Sequence, residues 1–110
     1  MRYMMYKVRY TANARLDLRR IHEYIAYNLM NRRAAVNQTR RIIDAVKKLS
    51  YMPERHPLYD DEPWRSRGLR CFPVNNYVVF YLPKDTDVLI IRIVYGGRDL
   101  KRQLKDEVLP

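Results

Sequence analysis

The chain has a single cysteine, Cys71, in 110 residues. No disulfide can close within it, and such sparing use of cysteine fits a reducing compartment. Set on a strand, a lone cysteine reads as a small buried apolar side chain rather than a reactive thiol. No stretch reaches the roughly 18 apolar residues that a membrane span needs. The opening MRYMMYKVRY carries charge throughout and lacks the apolar core of a signal peptide. Nowhere do His, Cys and carboxylate residues gather at ligand spacing, so neither a metal nor a cofactor is expected. Repeats, low-complexity segments and linkers are missing too. These absences leave the expectation of one soluble, cytoplasmic domain over residues 1–110, with no membrane partner.

What is present is charge of one sign. Lysine and arginine number 22 against 12 acids, a formal +10, while apolar residues still make up 47%. That apolar share suits a folded chain over a disordered one, and about two thirds of its unfolded surface can be hidden. The excess of cations by itself points to nucleic acid, a ribosome, an anionic membrane or an acidic protein as partner, without choosing among them.

The apolar pattern predicts the elements in order. Tyr6 to Tyr10 alternates like a half-buried strand. Thr11 can cap a helix from Ala12 to about Asn28, along which Leu18, Ile21, Ile25 and Leu29 recur at spacings of three and four, with Ala14 extending the same stripe. A turn over 28–31 leads to a second helix, from about Arg32 to Tyr51, with Ala35, Thr39, Ile42, Val46 and Leu49 as its seam. That seam suits two nearly antiparallel helices, and Pro53 stops the second. The cations on the other faces of this helix, Arg32, Arg33, Arg40, Arg41, Lys47 and Lys48, read as a solvated surface.

Residues 53–63 hold three prolines and no period, so they form a loop. Trp64, beyond it, is expected to pack that loop down. Strands follow over 67–74 and 77–82, joined at Asn75-Asn76, a pair suited to a tight hairpin. The last strand, Val88 to Tyr95, ends on Gly96-Gly97, and a short polar helix with Leu100 and Leu104 closes the chain. The order β-α-α-β-β-β-α implies an α+β sandwich of two layers, an antiparallel sheet of about four strands under an N-terminal helical hairpin.

Arg92 is the oddity in the last strand. By parity it shares a face with Val88, Ile90 and Val94, where a charge needs a partner or a ligand. Asp17 or Glu23 on the covering helix would supply one. His22 and His56 lie far from this strand end and are assigned no chemistry. Tyr77, Tyr81 and Tyr95 are candidates for stacking on bases, although edging the core is their plainer role.

Several segments, in this order and spacing, resemble the toxins of the RelE/ParE family of bacterial type II toxin–antitoxin systems. They are YKVRYT at the start, A-x-x-x-L-x-x-I-x-x-Y-I over 14–25, and the helix end over 49–53. After these come R-G-L-R over 67–70, Y-V-V-F-Y over 77–81 and R-I-V-Y-G-G-R-D over 92–99. The resemblance implies the sandwich just derived, and a small basic toxin held inactive by a cognate antitoxin protein, as in plasmid stabilisation systems.

It also implies two alternative chemistries. The first is a ribosome-dependent, metal-independent mRNA endoribonuclease (an mRNA interferase), which needs a base, an acid and cations for the charged transition state. Arg98 matches the arginine expected after the last strand, and Arg70 lies near the basic positions of the hairpin's first strand, with Arg67 for further charge and Tyr95 as a substitute acid. Val78 and Leu104 stand where that branch brings an arginine and a tyrosine, so the catalytic set is incomplete.

The second is a non-enzymatic poison of DNA gyrase, the ParE branch. Its last strand commonly ends R-V-x-H-G-x-R-D, and Tyr95 here replaces the histidine. Arg92 and Arg98 are then the candidate contacts to target or nucleic acid. This reading is favoured over the nuclease. A third drops toxicity and leaves a basic nucleic-acid-binding domain whose affinity collapses with salt.

Overall fold

A computed structural model describes residues 5–97 and 99–109. Its elements run β1 (Lys7–Tyr10), α1 (Ala12–Glu23), α2 (Arg32–Lys47), β2 (Arg70–Val74), β3 (Tyr77–Lys84), β4 (Asp87–Tyr95) and α3 (Leu100–Leu104). The four strands form one sheet in the order β1-β4-β3-β2. The α+β sandwich read from the sequence is therefore the architecture found, with the helical hairpin ahead of the meander.

The sheet is mixed rather than wholly antiparallel, because β1 pairs parallel to β4. The reason is geometric. After α2 the chain returns beside the start of β1, where the Tyr6 N–H donates to the Ser50 carbonyl at 2.8 Å. β2 thus sets out from the same end as β1, and two tight turns bring β4 back to that direction. The first turn sits at Asn75, whose φ of 54° is the left-handed conformation that asparagine tolerates.

Thr11 alone joins β1 to α1 and serves both. Its hydroxyl accepts from the Ala14 N–H at 3.0 Å, capping the helix, and donates to the Ile91 carbonyl at 2.9 Å. The stripe Ala14–Ile21–Ile25 is buried, but Leu29 is 58% exposed. A π-helical turn over Tyr24–Asn28, closed by the Leu29 N–H on the Tyr24 carbonyl, inserts an extra residue. Ile25 and Ala26 both turn inward there, and the expected stripe slips past Leu29. In α2, capped by Asn31, the seam of Ala35, Ile42, Val46 and the following Leu49 is fully buried. Thr39 is only half-buried, and its hydroxyl donates to the Ala35 carbonyl.

Two apolar clusters lie on the two faces of the sheet. The hairpin covers Phe72, Val79, Tyr81, Val88, Ile90 and Ile93. The opposite face holds Leu69, Phe80, Leu82, Ile91 and Val94, closed by Trp64 from the loop and Leu104 from α3. Leu104 is completely buried, which contributes on the order of 2 kcal/mol and fastens the tail to the sheet. Trp64 does hold the loop down, and the buried Tyr81 hydroxyl donates to the Pro53 carbonyl at 2.7 Å. β2 begins at Arg70, later than the expected residue 67, because Gly68 takes a φ of 86° in the turns that precede it.

Candidate functional site

β4 carries an irregularity that decides where its charge goes. Tyr81 pairs with Ile90 and Phe80 with Arg92, so Ile91 is an extra residue opposite the bond between them. Such a bulge breaks the two-residue alternation and re-aims the side chains beyond it. The expected face of Val88, Ile90, Arg92 and Val94 is corrected accordingly. Val88, Ile90 and Ile93 face the hairpin, while Ile91 and Val94 face the other way.

β1 ends opposite Ile90, leaving the upper half of β4 without a strand on that side. Asp17 of α1 takes over there. Its Oδ2 accepts from the Ile93 N–H at 2.9 Å and from Arg92 Nε at 2.7 Å, and its Oδ1 accepts from Arg92 Nη2 at 3.0 Å. Arg92 Nη1 reaches the other way, to Glu107 Oε1 at 3.0 Å and the Gln103 carbonyl at 3.2 Å. One guanidinium thus joins α1, β4 and the tail, with a two-pronged bond to Asp17 of the kind that suits arginine and not lysine. The hydrogen bonds and charge of Asp17 hold the Arg92 guanidinium above its ordinary range, against the opposing effect of burial. Of the two expected partners, Asp17 is the one used and Glu23 is not.

Beside this network lies an open groove of about 670 Å³ between the second half of α1 and the ends of β3 and β4. Arg20, Tyr24, Tyr77, Arg92, Tyr95 and Gln103 line it. Tyr77 and Tyr95 meet edge to face with ring centres 6.0 Å apart. Burial and the neighbouring Tyr24 and Tyr95 raise the Tyr77 hydroxyl above its ordinary pKa. Tyr24 and Tyr95 are about half exposed, at 52% and 46%. The groove is therefore an aromatic cleft lined, among the described residues, by Arg20, which has no ion-pair partner there, and by Arg92, which is tied down. The sequence reading missed Arg20 and Tyr24. Their signal was their spacing from Asp17, three and seven residues on, which puts all of them on one side of α1.

Of the residues proposed for nuclease chemistry, the three that are described, Arg67, Arg70 and Tyr95, do not converge. Arg70 Nη1 donates to the His56 carbonyl at 2.6 Å and the Glu54 carbonyl at 3.3 Å, at the start of β2. Arg67 is exposed, its guanidinium 5.7 Å above the Trp64 ring. Tyr95 stands at the far end of the sheet, in the groove. Arg98 lies outside the described residues. Its neighbour Asp99 caps α3, accepting from the Arg102 N–H. Of the three tyrosines considered for stacking, Tyr81 is wholly buried, Tyr77 half-buried and Tyr95 exposed.

His56 stacks on Phe72 at 4.1 Å, and burial together with Arg55 lowers its pKa. Cys71 is half-buried on β2, and burial raises its thiol pKa, as befits an inert side chain. Among the described residues no group of three His, Cys, Asp or Glu side chains is placed to hold a metal ion. No helix in them is long and apolar enough to cross a membrane.

Comparison with known proteins places this geometry. A family model for the ParE toxin of the type II toxin–antitoxin system parDE matches residues 8–100. The fold is similar to a chain of the chromosomal ParDE toxin–antitoxin system from P. aeruginosa, with a TM-score of 0.70 and 21% identity. That match covers 84% of this chain and 97% of the other. It is also similar to a chain of the RelBE2 toxin–antitoxin complex from Mycobacterium tuberculosis, with a TM-score of 0.60 and 23% identity over 88% and 98% of the two chains. No curated protein matches the chain.

Proposed function

The chain belongs to the ParE toxin family of type II toxin–antitoxin systems, and on that premise we propose that it arrests growth by poisoning DNA gyrase in the cytoplasm until a cognate antitoxin neutralises it. The observation that supports this reading over ribosome-dependent RNA cleavage is the dispersal of the catalytic candidates. A metal-free nuclease must bring base, acid and cations around one phosphate, each proton-transfer group contributing about 10²- to 10⁴-fold. Here Arg70 and Arg67 are bound to the loop at one end of the sheet, and Tyr95 lies at the other. On the sheet face away from the hairpin, Val78 and the buried Leu104 lie in the apolar cluster, at the positions where the nuclease branch brings an arginine and a tyrosine.

Within this reading Arg98, following the two glycines, is the residue we assign to target contact. Arg92 is the strut that holds the strand end it follows. The antitoxin is assigned to the toxin as its partner, and the aromatic groove is one surface open to it.

The test pairs two reactions with purified protein. In the first, gyrase acts on relaxed plasmid; the expected result is lost supercoiling with accumulation of cleaved DNA, both relieved by Arg98→Ala. In the second, ribosomes translate a defined mRNA, read by primer extension, and the mRNA stays intact. Ribosome-dependent cuts that vanish in Arg98→Ala would overturn the proposal in favour of the nuclease.

A further inference from the structure

Charge is distributed unevenly along the chain. Residues 1–50 hold twelve of the 22 lysines and arginines but only three of the 12 acids. One of those three, Asp17, is buried against Arg92. Beyond Arg32, the cations of α2 fall away from its buried seam. Arg33, Arg40 and Lys47 recur every seven residues, flanked by Arg41 and by Lys48 just past the helix end, and all five are exposed. Two turns of helix separate successive members, so the row runs straight along the helix for about 21 Å. Asp44 is the one carboxylate on this helix. Among the described residues none of the five cations, nor Asp44, takes part in an ion pair.

Successive members stand about 10.5 Å apart along the axis, so the row repels itself by a few tenths of a kcal/mol per pair at low salt, and adds nothing to the fold. What it matches is a line of negative charge at regular spacing. Phosphates follow one another every 3.4 Å along each strand of a duplex, so about 21 Å of helix spans about six of them. An acidic protein surface would also attract the row, but specific protein interfaces are anchored by buried aromatic and large apolar groups. α2 contains no aromatic residue. The exposed Tyr24, Tyr27, Leu29 and Met30 are at the hairpin tip, before α2 begins, and among the described residues of α2 the exposed large apolar side chain is Val36, too small for an anchor.

We propose that the outer face of α2, through Arg33, Arg40 and Lys47 with Arg41 and Lys48, binds the phosphate backbone of a nucleic-acid duplex. Binding reads no sequence, because the row meets phosphates, and contacts to phosphate fix position on a duplex without carrying sequence information. It does not depend on the gyrase assignment, since either target of the toxin family holds nucleic acid.

The experiment is a fluorescence-anisotropy titration of the full chain on a 20-base-pair DNA duplex and on an RNA duplex of the same sequence, from 50 to 200 mM salt. Four to five contacts predict a slope of log affinity on log salt of about −4 and a loss of roughly 300-fold across the range. The triple variant Arg33→Gln/Arg40→Gln/Lys47→Gln should reduce the slope by about 2 to 3 and weaken binding at least about tenfold at 100 mM salt. A control removes the same charge elsewhere, with Lys84→Gln/Arg102→Gln/Lys105→Gln, all exposed; it should weaken binding by less than about threefold.

Glutamine is nearly as good a helix former as lysine or arginine, so the α2 variant keeps its fold, and circular dichroism verifies that. Preference for one duplex names the source of the phosphates, DNA or RNA, and either preference supports the proposal. Equal weakening by the two triples would reduce the effect to net charge and overturn it. So would a flat salt dependence, an absence of duplex binding, or tighter binding to polyglutamate than to either duplex.

Discussion

The helical hairpin and the sheet half of this chain are built with the same cations and use them in opposite ways. From Tyr51 onward most arginines are bound to something. Arg92 holds Asp17 and Glu107, Arg70 and Arg55 hold backbone carbonyls, Arg65 pairs with Asp60, and Arg67 lies over Trp64. Along the hairpin, the described cations meet no carboxylate at ion-pair distance. The difference shows that a charge of +10 is not one property of the molecule. In the sheet half an arginine replaces missing backbone partners and knits loops to strands. On the hairpin the positive charge is left facing outward.

The largest expected consequence concerns Arg92. Its side chain is 17% exposed, and those of Asp17 and Glu107 are 8% and 12% exposed. Arg92→Met leaves two largely buried carboxylates without their cation. Removing one partner of such a pair costs about 3 kcal/mol, most of it from the charges left behind. Chemical denaturation should show that loss, and a variant that also carries Asp17→Asn should regain part of it, because one of the stranded charges is gone. A loss below about 1 kcal/mol would make Arg92 as dispensable as a surface cation, and the contrast between the halves would fail at its strongest point.

The same residue marks how far the sequence could be read. Three tightly linked strands, two amphipathic stripes and a proline stop give the sandwich directly, because burial imposes those periods. The need of Arg92 for a carboxylate, and Asp17 as a candidate, follow from the cost of burying a charge. The second partner, Glu107, lies in a polar tail with no pattern to single it out. The bulge at Ile91 and the π-helical turn at Tyr24–Asn28 each add one residue to a period. Apolar sequence on both sides conceals them, so the face of Val94 and the exposure of Leu29 were misread. The parallel pairing of β1 depends on where α2 returns, a long-range fact that no local period records. The choice of gyrase or ribosome depends on contacts to another molecule, and the two branches share this fold.

A second, smaller effect is expected at the seam between the halves. The Thr11 hydroxyl both caps α1 and donates to the Ile91 carbonyl at the bulge. Thr11→Ala removes the cap and leaves that carbonyl short of a partner, at a cost of about 1 to 2 kcal/mol by denaturation. Thr11→Ser keeps the hydroxyl and should recover most of the loss. If serine fails to rescue, the threonine methyl and not its hydrogen bonds carries the junction.

The smallest effect is expected where the charge is densest. The triple exchange of Arg33, Arg40 and Lys47 for glutamine touches exposed side chains with no ion-pair partner, so unfolding free energy should move by no more than about 0.5 kcal/mol. Its sign should be favourable at low salt, since like charges along one helix are relieved, and the gain should fade as salt screens them. This separates the halves more sharply than the loss at Arg92 does. A stabilising response that disappears with salt shows that the hairpin holds its cations at the expense of its own fold. Such an arrangement has a physical rationale only if something outside the chain is there to meet them. A destabilisation above about 1 kcal/mol would instead make the row structural, and the hairpin would then be no different from the sheet.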